Sequence, residues 1–291
     1  MCIRDRREGK KVGELLTSDA NEKIIAKLMV GENTSVKKRD KIAVGKALLS
    51  MSNVSAKGTS VRNGLVNVSL TVFEHEILGI AGVSGNGQSM LAEVISGLRK
   101  LDDGELSFGL QISNNLSPKE VIKARVGRIP EDRHRDGMIG SMTVAENLII
   151  ENLDNSKIKS FGFLNRESMN LSAVELCEKY DVRGPGTQAA ARLLSGGNIQ
   201  KMILARVFNN EPKIILANQP TRGLDMGAAS EVERRLLDAR SRGTGTILIS
   251  EDLDEILRLS DRILVIHSGV LMETKNKDRE QIGLMMAGES E

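Results

Sequence analysis

Aromatic residues are almost absent from this chain. Its 291 residues include five Phe, one Tyr and no Trp. Proteins that bind single-stranded nucleic acid stack bases on aromatic side chains, and nucleic-acid-binding surfaces carry an excess of basic charge. Here 41 basic residues stand against 39 acidic ones, so the formal net charge is only +2. We therefore expect no nucleic-acid partner.

Cysteines and long apolar segments are also scarce. Cys2 and Cys177 have no Cys or His neighbours at metal-site spacing, which indicates a reducing compartment without a disulfide framework. His75, His134 and His267 lack such neighbours too, so we interpret them as surface or loop histidines. No apolar run approaches the roughly 20 residues of a membrane span, and no signal peptide is evident. Any membrane role is expected to come through a partner.

Short apolar runs alternate with helical patterns from about residue 47 onwards. The runs at 76–82, 213–218, 246–250 and 262–266 are typical of buried strands, and helical patterns follow at 88–98, 228–240 and 252–259. This alternation predicts an α/β fold whose parallel sheet is covered on both faces. Between residue 98 and residue 190 we find helical patterns without strands, which predict an inserted helical subdomain at approximately 116–190.

Two segments near the ends of the chain resemble each other. Residues 22–32 and 279–289 align without gaps, and each is preceded by a glycine after a polar or charged turn. Chance similarity between two amphipathic helices is the alternative. A repeat would make residues 7–32 the tail of an earlier copy, 33–46 a polar linker and 47–291 one whole unit. Residues 1–6 fit neither copy and receive no assignment.

The stretch GVSGNGQSM, residues 82–90, matches a phosphate-binding loop except at one position. In the pattern G-x-x-x-x-G-K-[ST], Gln88 stands where the lysine belongs. Glycines let backbone amides turn towards phosphate oxygens, and the following helix adds its dipole. An ordinary strand–helix turn is the alternative. The candidate phosphate ligands are Gly82, Gly85, Asn86, Gly87, Gln88 and Ser89, and Ser89 is also a candidate weak Mg²⁺ ligand.

A second candidate anion site lies in LLSGGNIQK, residues 193–201. Ser195 precedes a helix whose apolar residues recur at four-residue spacing, so it is expected to cap that helix. Ser195, Gly196 and Gly197 would then present a hydroxyl group and free amides at a helix N-terminus.

Four blocks that follow the glycine loop in order carry a family resemblance: GRIPEDRHRDGMIGSMTVAENL (127–148), LLSGGNIQK (193–201), IILANQPTRGLD (214–225) and ILISEDLDEIL (247–257). Together they resemble the ATP-binding cassette (ABC) ATPases, and look most like the second cassette of tandem ATPases serving simple-sugar and nucleoside importers. The resemblance implies a P-loop NTPase fold with an added N-terminal antiparallel β part, and ATP with Mg²⁺ as ligands. It implies that two cassettes sandwich ATP head to tail. The signature residues that would complete the partner's ATP site are Leu194, Ser195, Gly196, Gly197 and Gln200.

The remaining positions implied by the resemblance depart from what hydrolysis requires. Asn218 and Gln219 replace the acid that supports Mg²⁺ and the glutamate that activates water, and an amide cannot accept the water's proton. Glu251 stands at the switch-histidine position and Glu131 at the Q-loop glutamine. No aromatic residue precedes the sheet to stack on adenine, Lys57 being nearest to that place. Asp225 of the D-loop is present. The resemblance thus implies a degenerate site beside an intact signature.

This reading implies several partners, expected at the cytoplasmic face of a bacterial membrane. They are a first cassette in the same full-length chain, multispanning permease subunits and, indirectly, an extracellular substrate-binding lipoprotein or periplasmic protein. The loss of both acids resembles the nucleoside branch of this family more than the sugar branch, and the resemblance therefore favours nucleosides as the imported molecule. A non-transport paired-cassette protein and a regulatory nucleotide sensor stay open as alternatives. The charged run at 131–136 is interpreted as a solvated loop, with contact to the membrane partner as the competing interpretation.

Overall fold

The computed structural model describes residues 2–7, 10–16, 42–112, 114–153, 159–160, 163–274 and 276–289. Within these ranges the strands are β1 (Cys2–Arg7), β2 (Lys10–Leu16), β3 (Ala47–Ala56), β4 (Leu65–Phe73), β5 (Ile77–Ala81), β6 (Asp103–Phe108), β7 (Gln111–Ile112), β8 (Val126–Ile129), β9 (Lys159–Ser160), β10 (Phe163–Leu164), β11 (Ile214–Asn218), β12 (Gly245–Ser250), β13 (Arg262–His267) and β14 (Val270–Glu273). The α-helices are α1 (Gln88–Ile95), α2 (Pro118–Lys123), α3 (Val144–Ile149), α4 (Arg166–Lys179), α5 (Gly196–Asn209), α6 (Met226–Ser241), α7 (Leu253–Leu259) and α8 (Arg279–Ala287).

The centre of the fold is a six-stranded sheet with the strand order β14-β13-β5-β12-β11-β8. Its neighbouring strands run parallel except for β13 and β14, which pair antiparallel at one edge. The side chains of β5, β11 and β12 are buried along their whole length. Continuous burial is what helices or sheets on both faces impose on a central strand. The predicted α/β fold with a parallel sheet is confirmed.

Different layers cover the two faces of this sheet. A four-stranded antiparallel sheet, β4-β3-β6-β7, packs with α1 against Leu78 and Ile80 of β5 in one apolar core. Side chains alternate in direction along a strand, so Ile77 of β5 joins a second core, to which α3 to α8 contribute. The antiparallel β part implied by the family resemblance is therefore present. Because both faces of β5 are packed, the glycine loop that follows it is held at the edge of a rigid sheet.

The predicted boundary of the helical subdomain is wrong at its N-terminal side. β8 pairs in parallel with β11 inside the central sheet, so the helical part begins after Ile129 rather than near residue 116. Strands β6 to β8 also occupy a region expected to lack strands. β8 has only four residues, one of them Arg128, so it shows no long apolar run. No helix in the described ranges combines the length and apolarity needed to cross a membrane.

The N-terminal residues differ in part from expectation. Residues 1–6 received no assignment, yet Cys2–Arg7 forms a strand that pairs antiparallel with Lys10–Leu16. Pairing with the following segment satisfies the backbone hydrogen bonds of the strand, a partner that the first six residues alone do not reveal. The proposed repeat helix at 22–32 and most of the proposed linker at 33–46 lie outside the described residues.

Candidate functional site

The glycine loop joins β5 to α1, as predicted. Gly85 and Gly87 have φ values of +87° and +107°, which glycine adopts more readily than any other residue. At Gly82 a Cβ atom would lie 2.7 Å from both Gln88 Nε2 and the Ile266 carbonyl oxygen, so only glycine fits there. The loop thus has the backbone shape of a phosphate-binding loop.

Gln88 does not extend towards a phosphate position. Its side chain is 5% exposed and folds back onto the loop. Gln88 Oε1 accepts a hydrogen bond of 3.0 Å from the Asn86 N–H, and Nε2 donates one of 2.7 Å to the Val83 carbonyl. In this structure Gln88 contacts the loop itself, and its role as a phosphate ligand stays a prediction. The neutral Gln88 side chain therefore bridges two backbone groups of the loop, and one of the loop's backbone N–H groups is already hydrogen-bonded to it.

Asn86 anchors the loop to the β13–β14 turn. Its Oδ1 accepts a hydrogen bond of 3.0 Å from the Ser268 N–H, and its carbonyl oxygen accepts one of 2.9 Å from the Gly269 N–H. Asn86 Nδ2 also donates to the Val83 carbonyl. Its side chain was expected to contribute to phosphate binding, but its contacts are those of a residue that fixes the position of the loop.

A cleft of about 620 Å³ opens beside the loop and unites three of the predicted positions: Ser89, Asn218 and Glu131. The other lining residues are Ala92, Glu93, Arg128, Asp132, Arg133, His134, Arg135, Asp136, Arg222 and Gly223. Ser89 is exposed at the start of α1, whereas Asn218 is buried at the end of β11. The carboxyl end of a parallel sheet is the usual place for a ligand in an α/β fold.

Gln219 and Glu251 do not line this cleft, although they lie next to each other. Gln219 has φ of +50°, and its N–H donates to the Ile249 carbonyl. Its Oε1 accepts a hydrogen bond of 3.4 Å from the Glu251 N–H. The residue after β11 and Glu251 are therefore in contact.

Ionic contacts organise the charged run at 131–136, which was interpreted as a solvated loop. The run is largely exposed, but it also forms one wall of the cleft, so that interpretation was incomplete. Glu131 forms an ion pair of 2.6 Å with Arg222, so the Q-loop carboxylate is neutralised within the chain. Hydrogen bonds from the backbone N–H groups of Arg135 and His134 lower the pKa of Asp132.

His134 and His75 lie in a loop and a turn and agree with the interpretation as surface or loop residues, whereas His267 is the last residue of strand β13. His134 is exposed in the loop, and a Cβ atom on Gly196 would lie 4.0 Å from its Nε2. His75 and His267 are half-buried next to turns, where Nδ1 lies near the carbonyl oxygens of Arg240 and Met286.

The N-terminus of α5 exposes Ser195, and Gly196 and Gly197 beside it are half-buried. Ser195 is exposed at the N-cap position, but its Oγ accepts a hydrogen bond from Asn198 Nδ2 instead of capping a backbone amide. The predicted N-cap position is confirmed, and the side-chain cap is not. A Cβ atom on Gly197 would meet nothing within 4 Å. Contacts within this chain therefore do not require glycine at residue 197.

Two of the proposed signature residues face inwards. Leu194 is buried in the helical core. Gln200 is 3% exposed, and its Nε2 donates a hydrogen bond of 2.9 Å to the Pro220 carbonyl. Both side chains make their contacts within this chain, and their role at a partner's ATP site stays a prediction. Gln200 links α5 to the segment after β11. In that segment Asp225 caps α6 by accepting from the Ala228 N–H.

Comparison with known families decides the assignment. The family model described as ABC transporter matches residues 65–222, which run from β4 through the glycine loop and the signature to the segment after β11. The chain belongs to the ABC transporter family. It carries the ABC ATPase fold, with a P-loop α/β core and an antiparallel β subdomain.

Curated relatives of this ABC chain are import proteins. It is 45% identical over 288 residues to the glucose import ATP-binding protein of Haloferax volcanii, covering 97% of this chain and 52% of the relative. It is 38% identical over 286 residues to the nucleoside import ATP-binding protein of Lactococcus lactis, covering 97% and 56%. The chain therefore spans about half the length of the curated relatives it matches.

Solved ABC structures have the same fold. A nucleotide-free ATP-binding cassette from an ABC transporter superposes with a TM-score of 0.66 at 24% identity, covering 82% of this chain and 95% of that one. A dimeric cassette in a post-hydrolysis state, bound to ADP and Pi, gives a TM-score of 0.65 at 24% identity, covering 79% and 100%.

Several residues that line or support the cleft could not be identified as site residues from the sequence patterns alone. Arg128, Arg133 and Arg222 bring positive charge into the cleft. Buried Glu255 accepts a hydrogen bond of 2.8 Å from the Thr221 hydroxyl and thereby ties α7 to the segment after β11. For Arg128 the signal was present, since an arginine inside a short buried strand needs an explanation.

Proposed function

We propose that this chain is an ATP-binding part of an ABC importer, in which its own nucleotide site is degenerate and its signature completes the ATP site of a partner cassette. The observation that carries the proposal is the contrast between the two anion-binding ends of the domain. The loop before α1 is closed by a neutral, buried Gln88, whereas the N-terminus of α5 is open to solvent.

The chemistry of the cleft and of the strand end next to it supports a site that does not hydrolyse ATP. Gln219 can neither deprotonate water nor replace a carboxylate general base. Asn218 is a poorer Mg²⁺ ligand than aspartate, which leaves Ser89 as the remaining candidate. Glu131 forms an ion pair with Arg222, so its carboxylate already has a partner within the chain. ATP and Mg²⁺ remain the proposed ligands, with hydrolysis assigned to the partner's site.

The accessible signature supports action on a partner. Ser195 is exposed, and Gly196 and Gly197 are close to solvent at the N-terminus of a helix of 14 residues. Backbone amides and the helix dipole at this end favour an anion such as a terminal phosphate. A side chain at Gly197 would find open space in this chain, so glycine there suits the approach of an external group.

The tandem arrangement is part of the proposal, with residues 7–32 as the tail of a first cassette, 33–46 as a linker and 47–291 as the second cassette. The hairpin β1–β2 supports it, because this hairpin resembles β13–β14; its first strand, Cys2–Arg7, would extend the tail back to residue 2. Both are antiparallel, and both strand pairs are joined by two residues that end in glycine, at 8–9 and 268–269. Each hairpin also precedes one copy of the repeated segment.

The proposed partners follow from the importer assignment: the first cassette, multispanning permease subunits and an external substrate-binding lipoprotein or periplasmic protein. The chain would lie peripherally at the cytoplasmic face of the membrane. The imported molecule is proposed to be a simple sugar or a nucleoside. The names of the relatives include glucose, nucleoside and guanosine import, so they add no weight to the preference for nucleosides.

Uptake and co-purification test the importer assignment. The full-length protein should co-purify from detergent extracts with a multispanning membrane protein, and its deletion should abolish uptake of either labelled glucose or labelled guanosine. Restoration of uptake by the intact gene is the control. Purification without any membrane partner, together with unchanged uptake, would favour a soluble paired-cassette protein or a nucleotide sensor instead.

A further inference from the structure

Four arginines line the cleft beside the glycine loop: Arg128, Arg133, Arg135 and Arg222. Three of them have direct partners. Arg135 pairs with Asp136, Arg222 pairs with Glu131, and Arg133 donates to the Arg222 carbonyl. Arg128 differs from them, since its guanidinium makes no hydrogen bond or ion pair with any residue in the described ranges. It is also half-buried, on β8 at one edge of the six-stranded sheet.

An arginine in this position is costly for the folded chain. Burial lowers the pKa of the Arg128 guanidinium, and the carboxylates of Asp136, Glu93 and Glu151 compensate this only through longer-range attraction. A guanidinium nevertheless stays charged in proteins. A half-buried charge without a direct partner destabilises a protein unless something else neutralises it. A bound anion would supply the missing partner.

Structural arginines in the same domain look different. Arg206 is almost fully buried in α5, where it donates to the carbonyl oxygens of Gly137 and Asn147 and forms an ion pair of 2.9 Å with Glu151. These contacts satisfy its charge within the chain. Arg128 has no comparable set, so internal packing does not account for it.

The location of Arg128 points to phosphate. It shares the cleft with Ser89 at the start of α1 and with Asn218 at the end of β11. The glycine loop on this cleft lacks the lysine that holds terminal phosphates, and Gln88 is directed into the loop. We propose that Arg128 binds the terminal phosphates of ATP in this chain's own cleft and replaces the charge missing at residue 88. Its planar group can contact two phosphate oxygens at once.

This inference rests on the proposed function only in taking the cleft as a nucleotide site. It adds that the degenerate site still binds a triphosphate, by a residue from the sheet rather than from the loop. Because the effect acts on the terminal phosphates, it should be strong for ATP and inorganic tripolyphosphate and absent for AMP. That ligand dependence separates a phosphate contact from a general effect on folding.

Calorimetric titration of the 291-residue chain with Mg²⁺-ATP, tripolyphosphate and AMP tests the inference. Arg128→Gln should weaken binding of ATP and tripolyphosphate by about tenfold to a hundredfold, the range of a charge-assisted hydrogen bond. Arg128→Lys should lie between this variant and the unsubstituted chain. The control is Arg125→Gln, which removes the same charge from an exposed residue immediately before β8. Arg125 pairs with Glu211, and its substitution should change the affinity less than about twofold.

Thermal unfolding supplies the second readout. Because Arg128 has no direct partner, Arg128→Gln should leave the melting temperature unchanged or raise it. Equal ATP affinities for Arg128→Gln and Arg125→Gln would overturn the inference, and so would a lowered melting temperature with parallel losses for ATP and AMP. If the unsubstituted chain fails to bind ATP at millimolar concentration, the inference also fails. The proposed function would survive that result, because it depends on the signature and the partner's site.

Discussion

Replacing Gln88 by lysine restores the pattern of a phosphate-binding loop in a single step. In the structure Gln88 makes two contacts within the loop, accepting from the Asn86 N–H and donating to the Val83 carbonyl. A lysine ammonium group can keep the donor contact, but it cannot accept from Asn86. The change therefore frees one backbone amide and adds a positive charge.

The substitution has two effects, one on the stability of the chain and a larger one on its affinity for ATP. Losing the Asn86 contact should lower the free energy of unfolding by about 0.5–1.5 kcal/mol, the net contribution of one hydrogen bond. Charge-assisted contacts to phosphate should strengthen ATP binding by about 1.5–3 kcal/mol, which corresponds to about tenfold to a hundredfold in affinity. Turnover should stay absent, because Gln219 still provides no base.

The assay combines urea unfolding, calorimetric ATP titration and phosphate release on the same preparations. Gln281→Lys, the same change in the first turns of α8, is the control and should leave ATP affinity unaltered. An unchanged affinity in Gln88→Lys would show that residue 88 does not face the nucleotide site. Steady turnover from this one substitution would show that Asn218 and Gln219 do not occupy the positions assigned to them.

Two further outcomes follow from the same structure. The 291-residue chain alone should release no phosphate from ATP above background, because its base and metal-supporting positions are amides; steady release that Gln219→Ala abolishes would contradict this. Burial raises the pKa of Glu255, so the folded chain holds that proton more tightly than the unfolded chain, and stability should fall as pH rises from about 4.3 towards the raised value. Glu255→Gln keeps an acceptor for Thr221 and should be more stable than the unsubstituted chain at pH 7 but not at pH 4, measured by urea unfolding. The exposed Glu175→Gln should show no such pH-dependent difference, and equal curves for Glu255→Gln and Glu175→Gln would refute the argument.

The parts of the fold that could be read from the sequence are those with strong local signals. The buried strands β5, β11 and β12 are continuous apolar runs, and the glycine loop has a backbone geometry that few other residues permit. The N-terminus of α5 was also predictable, since a serine, two glycines and a four-residue apolar repeat define it. These local signals are enough to locate the glycine loop and the N-terminus of α5, the two proposed anion-binding ends.

What the sequence could not show depends on contacts between distant segments. The membership of β8 in the central sheet comes from its pairing with β11, and four residues containing an arginine carry too little apolar character to indicate it. The directions of the Gln88 and Gln200 side chains depend on carbonyl groups that the fold brings within reach. The ion pair that neutralises Glu131 could not be predicted either, because Arg222 lies about 90 positions away in the sequence and only the fold brings it close.

The division of labour between the two anion-binding ends is the central claim, and the ATPase rate of the full-length protein with its permease tests it most directly. Three variants are compared: Gly197→Asp in the signature, Gly283→Asp in α8 and Ser89→Ala in the glycine loop. A Cβ atom at residue 197 or 283 would meet nothing within 4 Å, so the two aspartate variants are matched for space within the chain. We expect Gly197→Asp to lower the rate at least about tenfold, through lost stabilisation of the partner's phosphate, and the other two variants to change it less than about threefold. A larger loss in Ser89→Ala than in Gly197→Asp would contradict the claim, because the cleft beside GVSGNGQSM would then be the working site.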